Sequence, residues 1–119
     1  NTTYEFNVSS RPWHIVADDT DIYVVLSGDS SVDNSSGLVK LNFDGTNLTQ
    51  EWITTNDDFN TLHGIALNDQ YVYVSGRGDG NIYQFDKNTG ALINSVNLVS
   101  SGMTRTGGIN LTQELFSNE

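Results

Sequence analysis

Short apolar runs that alternate with clusters of Gly, Asn and Asp dominate the pattern of hydrophobic and polar positions along the chain. The pattern is clearest between His63 and Gly90, where residues 64–67, 71–75 and 82–85 are mainly apolar and the residues between them are polar or glycine. Residues 91–98 supply a fourth run. Runs of this length between turn residues are typical of β-strands, so the stretch predicts four antiparallel strands in a row.

The same pattern recurs in register on both sides of this stretch. Three pairs of segments align: residues 13–25 with 63–75 at a shift of 50, residues 38–42 with 82–86 at a shift of 44, and residues 63–67 with 107–111 at a shift of 44. The long polar loop over residues 29–36 accounts for the change of shift. A β-sandwich, the alternative, explains short strands but not a repeat, whereas repeated four-stranded units are typical of β-propeller blades.

The repeat predicts an all-β chain of four-stranded antiparallel β-propeller blades, about two and a half in number. The predicted parts are an outer strand at residues 3–8, blades at 13–54 and 63–98, and the start of a third blade at 107–118. In the fourth strands, the shift of 44 aligns Leu48 with Leu92 and Trp52 with Val96. So few blades cannot close a ring, and open blades expose apolar faces. We therefore expect the remaining blades to come from the same longer chain or from further copies. The sequence ends within a predicted blade, which favours the same longer chain.

The repeat also carries a family resemblance. The segment HGIALNDQYVYVSGRGDGNIYQFD, residues 63–86, followed by Thr89-Gly90, resembles the repeats of the YVTN, NHL and SMP-30/lactonase group of β-propellers. The resemblance covers nearly the whole chain and implies the fold. It implies no single activity, because the group includes lactonases, lyases, cofactor-bearing dehydrogenases and binding modules. The first unit has Trp13-His14 where the second has His63-Gly64, so no catalytic residue is carried over.

The amino-acid composition restricts the classes of partner and the location that the chain can have. Fifteen acidic residues against five basic ones give a net charge of −10, which repels nucleic acid and anionic membrane surfaces. The absence of cysteine excludes disulfides and thiol chemistry. No apolar run is long enough for membrane insertion, and abundant Asn, Ser and Thr favour an extracellular or cell-surface location. Five N-x-S/T triplets are candidate glycosylation sites: Asn1, Asn7, Asn34, Asn47 and Asn110.

Strand order predicts that all three arginines lie at one face of the disc. In a sheet of four strands that run up and down, the crossing loop and the loop between second and third strands emerge together. Arg11 and Arg105 fall in crossing loops and Arg77 in a second-to-third loop. Arginines that converge in this way suit an anionic or carboxylate ligand. The alternative is that each arginine pairs with a nearby aspartate, such as Asp57, Asp58 or Asp79.

Three aromatic residues are predicted near the mouth of the channel, at the start of inner strands. His14 and His63 could bind metal or move protons there, or could bond the backbone of a neighbouring blade. Trp13 could form an aromatic floor for a carbohydrate ligand, or could pack against the next blade.

Two further motifs have structural alternatives. Arg77-Gly78-Asp79 spells an integrin-type triplet, but the same residues make a glycine-rich hairpin connection, which we prefer. The acidic loops at residues 29–33 and 56–58 offer oxygen ligands for calcium, although neither has the spacing of an EF-hand loop.

The sequence therefore favours a non-catalytic binding or structural module of an extracellular or cell-surface protein, with an anionic or carbohydrate ligand at one face. It contains no Ser/His/Asp order, phosphate-binding glycine loop or carboxylate pair that indicates catalysis. The alternative is part of a propeller enzyme, a lactonase-like metal-dependent hydrolase or lyase whose metal ligands converge from several blades. No cofactor is expected apart from the calcium alternative.

Overall fold

The computed structural model describes residues 3–29, 31–56, 58–78 and 80–97, and everything below refers to these residues. They form eight strands: β1 (Pro12–Asp18), β2 (Asp21–Leu26), β3 (Gly37–Phe43), β4 (Leu48–Thr55), β5 (Leu62–Leu67), β6 (Tyr71–Gly76), β7 (Asn81–Asp86) and β8 (Leu92–Asn97). No helix long and apolar enough to cross a membrane occurs in this part of the chain.

The strands form two four-stranded antiparallel sheets in sequence order, the first sheet from β1 to β4 and the second sheet from β5 to β8. Side-chain carbonyl or carboxylate oxygens set the hairpin turns. Asp44, Asn68 and Asp86 each accept two backbone N–H bonds of 2.7 to 3.0 Å from residues two and three positions ahead. Such Asx turns replace backbone bonds that the reversing chain gives up. The predicted all-β class and the four strands per unit are confirmed.

Strand pairing confirms one predicted shift and corrects another. Ile15 pairs with Val24 and Ile65 with Val74, which is the shift of 50. In the fourth strands, however, Gln50 pairs with Leu41 and Leu92 pairs with Phe85. Gln50, and not Leu48, is therefore the equivalent of Leu92, and Thr54 rather than Trp52 is the equivalent of Val96. The predicted alignment is off by two residues because the hairpin between third and fourth strands is shorter in the second sheet.

A β-bulge interrupts the first strand of each sheet at the same place. Pairing shifts between Pro12 and His14 in β1 and between Leu62 and Gly64 in β5. A bulge adds one residue to a strand and redirects its side chain. Trp13 and His63 are the added residues, so the repeat places both at equivalent redirected positions.

The two sheets pack face to face around one apolar cluster. Its buried members come from both sheets and from the connection between them: Tyr23, Val25, Leu38, Phe59, Leu62, Ile65, Val72, Val74, Tyr83 and Phe85. The opposite face of the first sheet carries a second cluster of Val24, Leu26, Val39 and Leu41, against which Phe6 and Val8 pack. The first sheet therefore carries apolar clusters on both of its faces.

Residues 3–10 differ from the prediction, since they form no strand. An extended segment becomes a strand only when it pairs with a neighbour, and no described strand pairs with this one. The described residues show no closed ring, and the predicted third unit at 107–118 lies outside them. The propeller arrangement stays a prediction.

Candidate functional site

The rings of Trp13 and His63 are stacked across the junction of the two sheets. Their centroids are 4.3 Å apart and their planes differ by 11°. Trp13 is 58% exposed, whereas His63 is 6% exposed. The contact forms because the two β-bulges direct equivalent side chains to the place where β1 and β5 meet. One face of the indole is therefore held by His63 while much of the ring is in solvent.

Backbone bonds place Arg11 and Arg77 at the same end of the two sheets. The carbonyl oxygen of Arg11 accepts a 2.9 Å bond from the amide of Ser27, and that of Thr61 accepts a 2.9 Å bond from the amide of Arg77. Ser27 follows β2 directly and Arg77 follows β6 directly, so the two bonds are equivalent. We call this the loop end: β1 and β5 begin there and β2 and β6 end there. Arg11, His63 and Arg77 thus lie at one end of the two sheets, while the predicted common face of a disc stays a prediction and Arg105 lies outside the described residues.

The electrostatic surroundings of His63 favour its neutral form. Burial of the imidazole lowers the pKa of His63, and the positive charge of Arg77 lowers it further. A neutral ring stacks on indole without the cost of a buried charge. The site thus combines an exposed flat aromatic surface with a cation beside it.

The guanidinium groups of Arg11 and Arg77 form no ion pair with a carboxylate of the described residues, whose ion pairs all involve lysine. The pKa of Asp29 is lowered, mainly because its carboxylate accepts hydrogen bonds from the amide and hydroxyl of Ser31. The positive charge of Arg11 lowers this pKa further. Two aspartates considered as partners lie outside the described part of the chain: Asp57 and Asp79. An ion pair with Asp58 is not formed, so this part of the alternative reading is not supported.

His14 does not join the stacked rings. It lies exposed on β1, where it pairs with Val25, beside a shallow cavity of about 190 Å³ that Trp13 and Ile15 also line. Within residues 3–29, 31–56, 58–78 and 80–97, no three His, Asp or Glu side chains come close enough together to hold a metal ion. A metal role for His14 and His63 is therefore not supported by these residues.

An acidic depression of about 390 Å³ lies at the loop end, between the loop after β2 and the connection before β5. Its lining includes three aspartates, Asp29, Asp33 and Asp58. The carboxylate of Asp29 is already engaged by Ser31, at 2.9 Å from its amide and 2.7 Å from its hydroxyl. Residues of both loops considered for calcium line the depression, and calcium binding there stays a prediction.

The Arg77-Gly78-Asp79 turn is fastened to the connection before β5. The amide of Gly78 donates a 3.0 Å bond to the carbonyl oxygen of Asn60, and a Cβ atom at Gly78 would lie 2.9 Å from the same oxygen. Glycine is required here because the backbones approach so closely. This contact supports the structural interpretation of the triplet, of which Asp79 lies outside the described residues.

A buried lysine pair at the opposite end of the sheets was missed by the sequence analysis. Lys40 Nζ donates a 3.0 Å bond to the carbonyl oxygen of Lys87 and lies 3.4 Å from Glu51 and 3.6 Å from Asp21. Burial opposes the charge of Lys40, but neighbouring Tyr23 and the two carboxylates outweigh it, so the pKa of Lys40 is raised. The available signal was a lysine between two buried apolar positions of β3.

The candidate glycosylation sites that the structure describes are accessible. Asn7, Asn34 and Asn47 are exposed and lie outside the strands. Asn1 and Asn110 lie outside the described residues.

Comparison of the chain with models of known protein families, with curated proteins and with solved structures finds no match. The resemblance to the YVTN, NHL and SMP-30/lactonase group thus stays a prediction from the repeat sequence. The site must be interpreted from its own geometry.

Proposed function

We propose that the two sheets are blades of a β-propeller with an incomplete ring, and that the chain is a non-catalytic binding module of an extracellular or cell-surface protein. Its ligand is a carbohydrate that carries a carboxylate, bound at the loop end. The observation that carries this proposal is the exposed indole of Trp13, held flat by His63 beside Arg77.

The chemistry of the site fits an acidic sugar in two ways. The C–H groups of a sugar ring form an apolar face that packs on a flat aromatic ring, which is rigid and loses little entropy on binding. An arginine beside that ring can bind the sugar carboxylate through two parallel N–H bonds. Since Arg11 and Arg77 form no ion pair with the described carboxylates, their guanidinium groups are available for this contact.

Tryptophan fluorescence provides the test. The chain has two tryptophans, and replacing Trp52 by Phe leaves Trp13 as the only reporter. Titration with trigalacturonate should give a saturable change in emission, and titration with its uncharged methyl ester should give a weaker one. Arg77→Ala and Arg11→Ala should each weaken trigalacturonate binding by about 1–3 kcal/mol, the usual loss for a charge-assisted hydrogen bond. Tyr4→Phe, which removes a hydroxyl at the opposite end of the sheet, is the matched control and should bind normally.

Equal affinity for the acid and its ester would contradict the role of the arginines. Absence of saturation at millimolar trigalacturonate would contradict the proposed ligand class.

A further inference from the structure

The charged side chains of the described residues are divided unequally between the two ends of the sheets. Arg11 and Arg77 lie at the loop end. The opposite end, which we call the turn end, carries the hairpin turns that follow β1, β3, β5 and β7. Six aspartates lie in these turns or beside them: Asp18, Asp19, Asp21, Asp44, Asp69 and Asp86.

The two lysines do not offset this negative charge at the surface. Lys40 and Lys87 are only 6% and 7% exposed. Lys40 is held between Asp21 and Glu51, at 3.6 and 3.4 Å. Lys87 Nζ donates to the carboxylate of Asp18. The charge that the turn end presents to solvent is therefore negative, which attracts cations and repels anions.

A groove of about 350 Å³ lies between the two sheets at the turn end. Residues 16–18 form its wall in the first sheet, and residues 67–69 form its wall in the second. Val16 and Leu67 are half-buried and pack against the apolar cluster between the sheets, so the floor of the groove is apolar. Asp18 and Asp69 are exposed, so each wall carries a carboxylate at its rim.

Asp69 supplies the groove with a free hydrogen-bond acceptor. Its carboxylate forms no hydrogen bond or ion pair with the described residues. The side-chain oxygen of Asn68 already accepts bonds of 2.9 and 2.8 Å from the amides of Gln70 and Tyr71. Among the described residues, no three His, Asp or Glu side chains come close enough together to hold a metal ion. The groove therefore fits an organic cation with an apolar part.

We propose that this groove binds a lysine side chain in a basic peptide segment of a partner protein. The methylene groups of the lysine pack on Val16 and Leu67, and its ammonium group donates to Asp69. Lysine suits the groove because it joins a long apolar stem to a compact charged head. The other aspartates of the turn end attract further basic residues of the segment. Because the groove lies opposite the loop end, the inference does not rest on the proposed carbohydrate ligand.

Isothermal titration calorimetry at low salt tests this proposal with two short peptides. Acetyl-tetralysine amide and its analogue built from 2,4-diaminobutyrate carry the same ammonium groups, but each side chain of the analogue is two methylene groups shorter. Tetralysine should bind about tenfold more tightly, which is the effect of burying two further methylene groups. Asp69→Asn should weaken the binding of tetralysine about three- to fivefold, as expected for the loss of an exposed ion pair.

Two matched variants remove one negative charge outside the groove. Asp44→Asn does so at the turn end and keeps a side-chain oxygen for the amides of Thr46 and Asn47. Asp33→Asn does so at the loop end. Each variant should change the affinity for tetralysine by less than about twofold.

Four results would overturn the proposal. Equal losses for Asp69→Asn and either matched variant would show a general attraction to an acidic chain. Equal affinity for the two peptides would mean that the apolar floor is not used, and absence of binding at millimolar tetralysine would mean that the groove takes no lysine. Spermine has as many ammonium groups as tetralysine but no peptide backbone, and binding as tight as that of tetralysine would make a polyamine the occupant.

Discussion

Lys40 Nζ lies 3.0 Å from the carbonyl oxygen of Lys87, so a buried ammonium group of the first sheet holds the turn between β7 and β8 of the second. Trp52 Nε1 donates to the same oxygen, also at 3.0 Å. Thr54 Oγ1 donates a 2.6 Å bond to the carbonyl oxygen of Gly90, three residues farther along. Three side chains of one sheet thus satisfy a turn of the other, and this junction lies opposite the loop end.

Replacement of Lys40 by Met should destabilise the chain. The substitution keeps an apolar stem of similar length but removes one donor from the carbonyl oxygen of Lys87 and both ion pairs of Lys40. We expect a loss of about 1.5–3 kcal/mol in the free energy of unfolding, the range for hydrogen bonds to charged groups. Urea denaturation measures it. Glu51→Gln removes only a half-exposed partner and should cost no more than about 1 kcal/mol. Equal losses for the two variants would contradict the role of the buried bond.

The turn itself supplies a second prediction. Gly90 has a φ of 78°, and a Cβ atom there would lie 2.6 Å from the indole of Trp52. Gly45, in the corresponding hairpin of the first sheet, has a φ of 99° and nothing within 4 Å of such an atom. Gly45→Ala should therefore cost only the backbone strain of about 1–2 kcal/mol. Gly90→Ala should lower the free energy of unfolding, measured by urea denaturation, by more than Gly45→Ala does, because it also displaces Trp52. A smaller loss for Gly90→Ala than for Gly45→Ala would contradict close packing of Trp52 against this turn.

The sequence was sufficient for the eight strands of the two sheets, because turn residues such as Asp44 and Asn68 separate the apolar runs and fix where the chain reverses. The sequence was insufficient in the fourth strands. The pattern of apolar and polar residues there does not show that the hairpin between β7 and β8 is two residues shorter than the hairpin between β3 and β4. Leu48 was aligned with Leu92 on the strength of residue type, and only the pairing of Gln50 corrects this.

Only part of the candidate site could be predicted from the sequence. Strand order alone placed Arg11 and Arg77 at one end, since that placement depends on chain direction. The stacking of Trp13 on His63 depends on two β-bulges, which turn both side chains toward one another and leave no mark in an apolar pattern. The acceptor of Lys40 likewise could not be predicted, because it is a backbone carbonyl far along the chain.

Thr61 offers a prediction at the loop end. It has a φ of 57°, a left-handed conformation that β-branched residues rarely adopt. Its carbonyl oxygen must accept the amide of Arg77, and this bond holds the strained backbone in place. Thr61→Gly relieves the strain and should raise the free energy of unfolding by about 1 kcal/mol. Thr61→Ala should give a smaller gain in the same urea experiment. A destabilised glycine variant would mean that the Thr61 side chain contributes more than its conformation costs.

The lowered pKa of His63 makes stability depend on pH in a defined direction. Because the folded state binds the proton less readily than the unfolded chain, whose histidine has a pKa near 6.5, the unfolded state takes up more protons as the pH falls. This contribution is fully present above that value and is lost as the pH drops below it. The urea midpoint should therefore decrease between pH 7.5 and 5. The lowered pKa values of Asp29 and Asp44 act only below about 3.8, outside this window.

Two variants isolate the histidine. His63→Phe keeps a flat ring against Trp13 but cannot titrate, so the decrease should become smaller than in the unaltered chain. His14→Phe removes the exposed histidine of β1 and should leave the decrease unchanged. The carboxylates of the chain also become protonated as the pH falls, but they are the same in both variants and in the unaltered chain. Their effect therefore cancels when each variant is compared with the unaltered chain. A decrease that persists in His63→Phe and disappears in His14→Phe would assign the pH dependence to β1 instead of the stacked pair.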